Sequence, residues 1–187
     1  MRALIKRDGI YGTIDELLET RVKDGYKILE AGCGSGLTTL TLCLNKKGII
    51  PTLLDINETI LNETKNNFAE QNISATYVLG SVDNLKDFDD NTFDFVFNEG
   101  VIEHAPINVE KAISEMLRVS KNKVLIIIPD GDNILYKIKK ALKRLLGTWG
   151  WDKLYGYERN VGARYFRGLK YKKINIGYQN VAYILEK

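Results

Sequence analysis

The stretch Ile28-Leu29-Glu30-Ala31-Gly32-Cys33-Gly34-Ser35-Gly36 decides the fold. Its first residues read as a short apolar strand, and a helix-competent run from Leu37 to Leu44 follows the last glycine. Glycines at 32, 34 and 36 let the backbone turn tightly and approach a ligand without interference from a Cβ. The helix that follows points its free N–H groups at the same spot. A strand, a glycine loop and a helix in this order predict a cradle for a nucleotide-like cofactor, and so an enzyme.

The spacing narrows the cofactor. A dinucleotide fingerprint is Gly-x-Gly-x-x-Gly, and its third glycine would fall on Leu37. The pattern here is Gly-x-Gly-x-Gly, preceded by Glu30. The stretch Glu30 to Gly36 resembles the first motif of the class I S-adenosylmethionine-dependent methyltransferases.

Downstream residues extend the resemblance in the family's order. Ile49 to Asp55 reads as a second strand, and a carboxylate at its end can accept hydrogen bonds from two ribose hydroxyls. A cap for the next helix would explain Asp55 as well. Ile73 to Leu79 reads as a third strand, leading to Gly80-Ser81-Val82-Asp83. The resemblance implies an adenine amine at Asp83, a backbone N–H from Val82, and cofactor contacts from Glu30, Gly32, Cys33, Gly34, Gly36, Asp55 and Ile56.

The segment Phe93-Asp94-Phe95-Val96-Phe97-Asn98-Glu99-Gly100-Val101-Ile102-Glu103-His104 looks like the fourth-strand segment of the family's small-molecule branch, the ubiquinone- and menaquinone-biosynthesis-like enzymes. Clefts of open α/β sheets lie beyond the carboxyl ends of the strands. This puts Asn98 and Glu99 where cofactor and acceptor meet. His104 and Glu99 are the candidate catalytic groups, and a structural role for His104 is the alternative. Methyl transfer by in-line displacement from a sulfonium draws much of its rate from alignment. The Pro-Pro-aromatic segment that nucleic-acid amino-methyltransferases carry at this strand end is missing, which disfavours base N-methylation.

The rest of the pattern predicts an α/β fold. It is a Rossmann-like open sheet of seven mostly parallel strands with helices on both faces, closed by a C-terminal antiparallel hairpin. Thr13 and Glu16 have capping-box spacing, predicting a first helix from Thr13 to about Asp24. Asn57 predicts a cap for a helix to about Glu70, and Pro106 suits the first turn of a helix to about Val119. Val124 to Ile128 is a fifth strand. Lys172 to Ile176 and Val181 to Leu185 predict the hairpin. One domain is expected, with a cofactor core over 24–130, a basic, aromatic-rich substrate cap or membrane-facing insertion over 131–170, and the hairpin over 171–187.

Composition excludes several classes. The chain has 187 residues, of which 44% are hydrophobic, so it can bury a proper core. No apolar run approaches the roughly 20 residues that span a bilayer, and Met1 to Gly12 lacks the apolar centre of a signal peptide. A cytoplasmic location is expected, with peripheral membrane contact as an extension of it. Two cysteines and one histidine are too few for a zinc site. Cys33 and Cys43 read as small packing residues. Asp132-Asn133 resembles the metal-binding pair of catechol-type methyltransferases loosely, and no metal is expected; a turn and a helix cap are the plainer reading.

The net charge of +3 conceals an asymmetry: residues 135–173 carry +10 and the remainder −7. In the run from Ile134 to Trp149, apolar residues occupy one arc and lysines the other. Such a helix either packs on the sheet with a solvated lysine face or lies on an anionic membrane surface. Trp149, Trp151, Tyr155, Tyr157, Tyr165 and Phe166, with Arg159, Arg164 and Arg167, look like a cap suited to a flat anionic or lipid-linked acceptor. RNA would suit the same residues, though less well given the fourth-strand segment. A non-catalytic subunit that binds a partner through this helix is the third possibility.

Overall fold

The computed structural model describes residues 7–104, 106–147 and 158–187. The elements run α1 (Gly9–Glu19), β1 (Lys27–Ala31), α2 (Leu37–Asn45), β2 (Ile50–Asp55), α3 (Glu58–Glu70), β3 (Thr76–Leu79), β4 (Phe93–Glu99), α4 (Val109–Val119), β5 (Ser120–Pro129), α5 (Ile134–Leu145), β6 (Lys170–Gly177) and β7 (Asn180–Glu186). Seven strands form one sheet in the order β3-β2-β1-β4-β5-β7-β6. The first five pair in parallel, and β7 runs antiparallel between β5 and β6. This is the predicted architecture.

The unbroken aliphatic run of β5 is explained by burial on both faces of the sheet. Val124, Ile126 and Ile128 join the cluster under α4. Leu125 and Ile127 join Ile14, Leu17 and Leu18 of α1 on the opposite face. A register shift between Phe93 and Phe95 turns β4, so Phe93 and Val96 share one face while Phe95 and Phe97 take the other.

Four local expectations change. Helix α1 starts at Gly9, a turn before Thr13, whose hydroxyl donates to the Gly9 carbonyl at 3.3 Å and so caps nothing. The apolar arc of α1 begins at Ile10, which packs with the α1 cluster and so draws the upstream turn into the helix. Helix α4 starts after Asn108, whose side chain accepts from the Lys111 N–H at 2.9 Å; Pro106 precedes it. Strand β3 is shorter than expected because the Ile73 N–H closes α3 on the Phe68 carbonyl at 3.0 Å. Helix α5 does not pack its apolar arc on the sheet; it buries Tyr136 and Lys140 instead.

Candidate active site

Strand order reverses between the paired strands β1 and β4, so the connections that leave their carboxyl ends part and open a cleft. The glycine loop lies there. Gly32 and Cys33 both donate to the Leu54 carbonyl, at 2.7 and 2.8 Å, fastening the loop to β2. From α3, the Thr64 hydroxyl donates to the Gly34 carbonyl at 2.6 Å and the Asn67 amide to the Ser35 carbonyl at 3.0 Å. Two glycines are needed for different reasons. A Cβ on Gly36 would stand 2.5 Å from Thr64 Cγ2, whereas one on Gly34 would meet nothing within 4 Å. Gly36 is demanded by packing, and Gly34 keeps the loop's apex bare.

Asp55 ends β2, nearly buried. One of its oxygens accepts from the Gly34 N–H and the other from the Asn57 N–H, each at 2.9 Å. A carboxylate offers about four acceptor positions, so two remain for hydroxyls. Asp55 therefore both organises the loop and keeps capacity for a ligand. Ile56, 68% exposed, and Leu79, paired in register with Asp55, give this edge an apolar flank. Asp83 is half-buried, and its Oδ2 accepts from the Asn108 N–H at 2.9 Å. Burial pushes its carboxyl up, but the Ser81 hydroxyl and the Asn108 amide outweigh that and hold it low. Val82 is buried in the core beside it.

Glu30 lies buried at the end of β1. Burial pushes its carboxyl up to about 8, and the dipoles of Thr39 pull it only part of the way back. Its Oε2 finds no hydrogen-bond partner in the protein. Asn98, fully buried, donates its amide to the Ala31 carbonyl and so ties β4 to the root of the glycine loop; its Oδ1 is likewise unmatched. Glu99 accepts from the Thr38 hydroxyl at 3.0 Å, and burial raises its carboxyl too. Cys33 and Cys43 are both free thiols, pushed up by burial.

Arg7 completes this end of the cleft. Its guanidinium bridges Asp15 of α1 through two nitrogens and reaches the Thr38 hydroxyl at 3.2 Å. Its charge also opposes the upward shift of Glu99 and Glu30. No motif marks this pair. The signal was Asp15 itself, an acid inside the apolar arc of Ile14, Leu17 and Leu18, where a carboxylate needs a partner.

His104 follows β4. Its backbone forms an isolated antiparallel bridge with Glu158, and the Arg159 N–H donates to the Glu103 carbonyl at 2.7 Å. The 158–159 segment is thus stitched to the strand end. Behind the stitch, Glu158 accepts from Lys140 Nζ at 2.9 Å and from the Tyr136 hydroxyl. Glu103 is buried beside them, pushed up to about 8 by burial and by Glu158. Sequence reasoning left this cluster out.

Other expected cap residues part company. Phe166 is buried and stacked on Tyr183, ring centres 4.1 Å apart, so it belongs to the core. Arg159 donates to the Ile107 carbonyl, and Arg164 lies over the Tyr165 ring. Asn133 caps α5 by accepting from the Tyr136 N–H at 3.1 Å, and Asp132 accepts from the Ala163 N–H at 2.9 Å. Trp149, Trp151, Tyr155 and Tyr157 lie outside the described residues.

The residues present fit an S-adenosyl-type ligand: a bare loop apex, a carboxylate with spare acceptors, an apolar flank and an unmatched buried acid. Comparisons with known proteins agree. The pattern of the methyltransferase domain family matches residues 29–128. The chain is 29% identical over 124 residues to a ubiquinone biosynthesis O-methyltransferase of Coxiella burnetii, covering 66% of this chain and 48% of that protein. It is 35% identical over 103 residues to 24-methylenesterol C-methyltransferase 3 of Arabidopsis thaliana, covering 54% and 28%. The chain thus spans at most about half of these relatives. Among solved structures, YcgJ of Bacillus subtilis matches with a TM-score of 0.70 at 20% identity, over 87% of this chain and 70% of that one. An S-adenosylmethionine-dependent methyltransferase of Aquifex aeolicus matches with 0.63 at 14%, over 92% and 88%.

Proposed function

The chain belongs to the methyltransferase domain family, and on that premise we propose that it transfers a methyl group from S-adenosyl-L-methionine to a hydroxyl oxygen of a small-molecule or lipid-linked acceptor. The observation that carries the cofactor half is the switch-point cleft, where Gly34 is bare and Glu30 keeps an unmatched buried oxygen. When bound, S-adenosyl-L-methionine supplies a methyl group already activated by its sulfonium.

The chain's own residues then have two tasks. The first is alignment. Asp55 has acceptor positions left for ribose hydroxyls, Ile56 and Leu79 flank a flat base, Asp83 accepts from its amine, and Glu30 takes the amino group of the methionine part. The second is the acceptor's proton, which must leave its oxygen as the new bond forms. We assign that proton to Glu99, the last residue of β4, and to His104, which follows the strand. Burial raises the Glu99 carboxyl, so its ionised form is a stronger proton acceptor than an ordinary carboxylate.

Oxygen as the attacked atom is supported by the small-molecule character of the Asn98 to His104 segment and by the O-methyltransferase among the relatives. The test supplies S-adenosyl-L-methionine with a labelled methyl group and a panel of phenols, catechols and RNA. Label is expected on a phenolic oxygen, falling at least about 100-fold in Asp55→Ala. Label on RNA alone, with binding that collapses as salt rises, would overturn the reading.

A further inference from the structure

Helix α5 is built inside out. At about 100° per residue, Ile134, Leu135, Ile138, Leu142, Leu145 and Leu146 share one arc, and each is between 50 and 83% exposed. The buried side chains, Tyr136 and Lys140, stand on the opposite arc, held by Glu158. The ion pair and the hydroxyl contact fix which way the helix faces. Five large apolar side chains on one short helix, with Leu146 at its C-cap, exceed the scattered exposure of an ordinary surface.

We propose that α5 seats its apolar arc on an anionic lipid surface. Cations bound the arc on both sides: Lys139 and Lys143 on one, Lys137 and Arg144 on the other. No acidic residue occurs from 133 to 151. At the N-terminal end of the helix, Lys137, Arg159 and Arg164 line a cleft of about 440 Å³ with one acid, Asp132, so three cations outnumber it there. An apolar stripe rimmed by lysines is the pattern of a helix lying in a headgroup layer. A second copy of the chain suits it badly, because a two-fold contact through this face sets one lysine border against another. Among the described residues no helix is long and apolar enough to cross a membrane, so α5 would rest on the surface.

This inference does not rest on methyl transfer, and its test is separate. The full chain is sedimented with vesicles of phosphatidylcholine and with vesicles that also contain phosphatidylglycerol. Sedimentation with the anionic vesicles is expected to exceed that with neutral ones at least about tenfold and to weaken as salt screens the lysines. Leu142→Asp with Leu145→Asp should lose at least about tenfold in partitioning. Lys139→Gln with Lys143→Gln should lose a few-fold and flatten the salt dependence. Calorimetric affinity for S-adenosylhomocysteine should be unchanged in both, since none of these residues borders the glycine loop. Two outcomes would overturn the inference: wild-type chain left in the supernatant with anionic vesicles at low salt, or a wild-type dimer that the aspartate pair turns into a monomer. If the aspartate pair does not fold, the glutamine pair and the salt titration decide.

Discussion

Glu30 is the residue on which pH should act. A carboxyl held at about 8 is mostly protonated at neutral pH. An incoming ammonium group favours its ionised form, so binding releases a proton and tightens as pH rises from 6 toward 8. Calorimetry in buffers of different ionisation enthalpy should show that release for the wild type and lose it in Glu30→Gln. Glu103 carries the same shift without a place in the cleft. Its folded value of about 8 lies above the ordinary 4.5, so the native state holds the extra proton between them. Its stabilising contribution is complete below about 4.5 and is lost as pH rises through 8. Glu103→Gln should raise the melting temperature at pH 8 and change it little at pH 5. The two loop glycines separate folding from binding. Gly36→Ala meets Thr64 and should destabilise the fold by about 2–3 kcal/mol. Gly34→Ala should cost about 1 kcal/mol in stability, for its φ of +50°, and proportionally more in ligand affinity. Asp55 and the glycines were legible in sequence because their order along the chain carries meaning. Arg7 and Asp15 were not, because no motif pairs them and the contact that ties Arg7 to Thr38 exists only once α1 packs on α2.

At the scale of elements, local chemistry was readable where a side chain satisfies its own helix. Asn57 and Asn133 cap α3 and α5 as expected from type and position. It was unreadable where a distant contact sets the boundary. Asp83 holds the Asn108 amide, so α4 begins there and leaves Pro106 outside. The β6–β7 hairpin shows an element working against its residue types. Tyr178 and Gln179 both adopt positive φ, +51° and +64°, the two-residue turn that favours Asn-Gly. The Gln179 backbone carbonyl, which accepts from Asp130, survives substitution. Gln179→Gly is therefore expected to stabilise the chain by about 0.5–1 kcal/mol, read as a shift in the denaturant midpoint.

The whole molecule divides its work between two regions of opposite charge. Residues outside 135–173 carry −7 and build the cleft, the acids around the glycine loop and all of the sheet but the first half of β6. The basic segment was legible as amphipathic, but periodicity alone does not say which arc faces the core. Burial of Lys140 against Glu158 settled that, because a lysine–glutamate pair is placed inside only where both partners meet there. The central claim concerns the other region: the switch-point cleft is shaped for a sulfur-bearing adenosyl ligand. Calorimetry of the full chain with S-adenosylhomocysteine, with NAD as the comparison, tests it most directly. The account predicts one site for S-adenosylhomocysteine, weakened at least about tenfold by Asp55→Ala, and no measurable binding of NAD. Binding of NAD with no affinity for S-adenosylhomocysteine would contradict it.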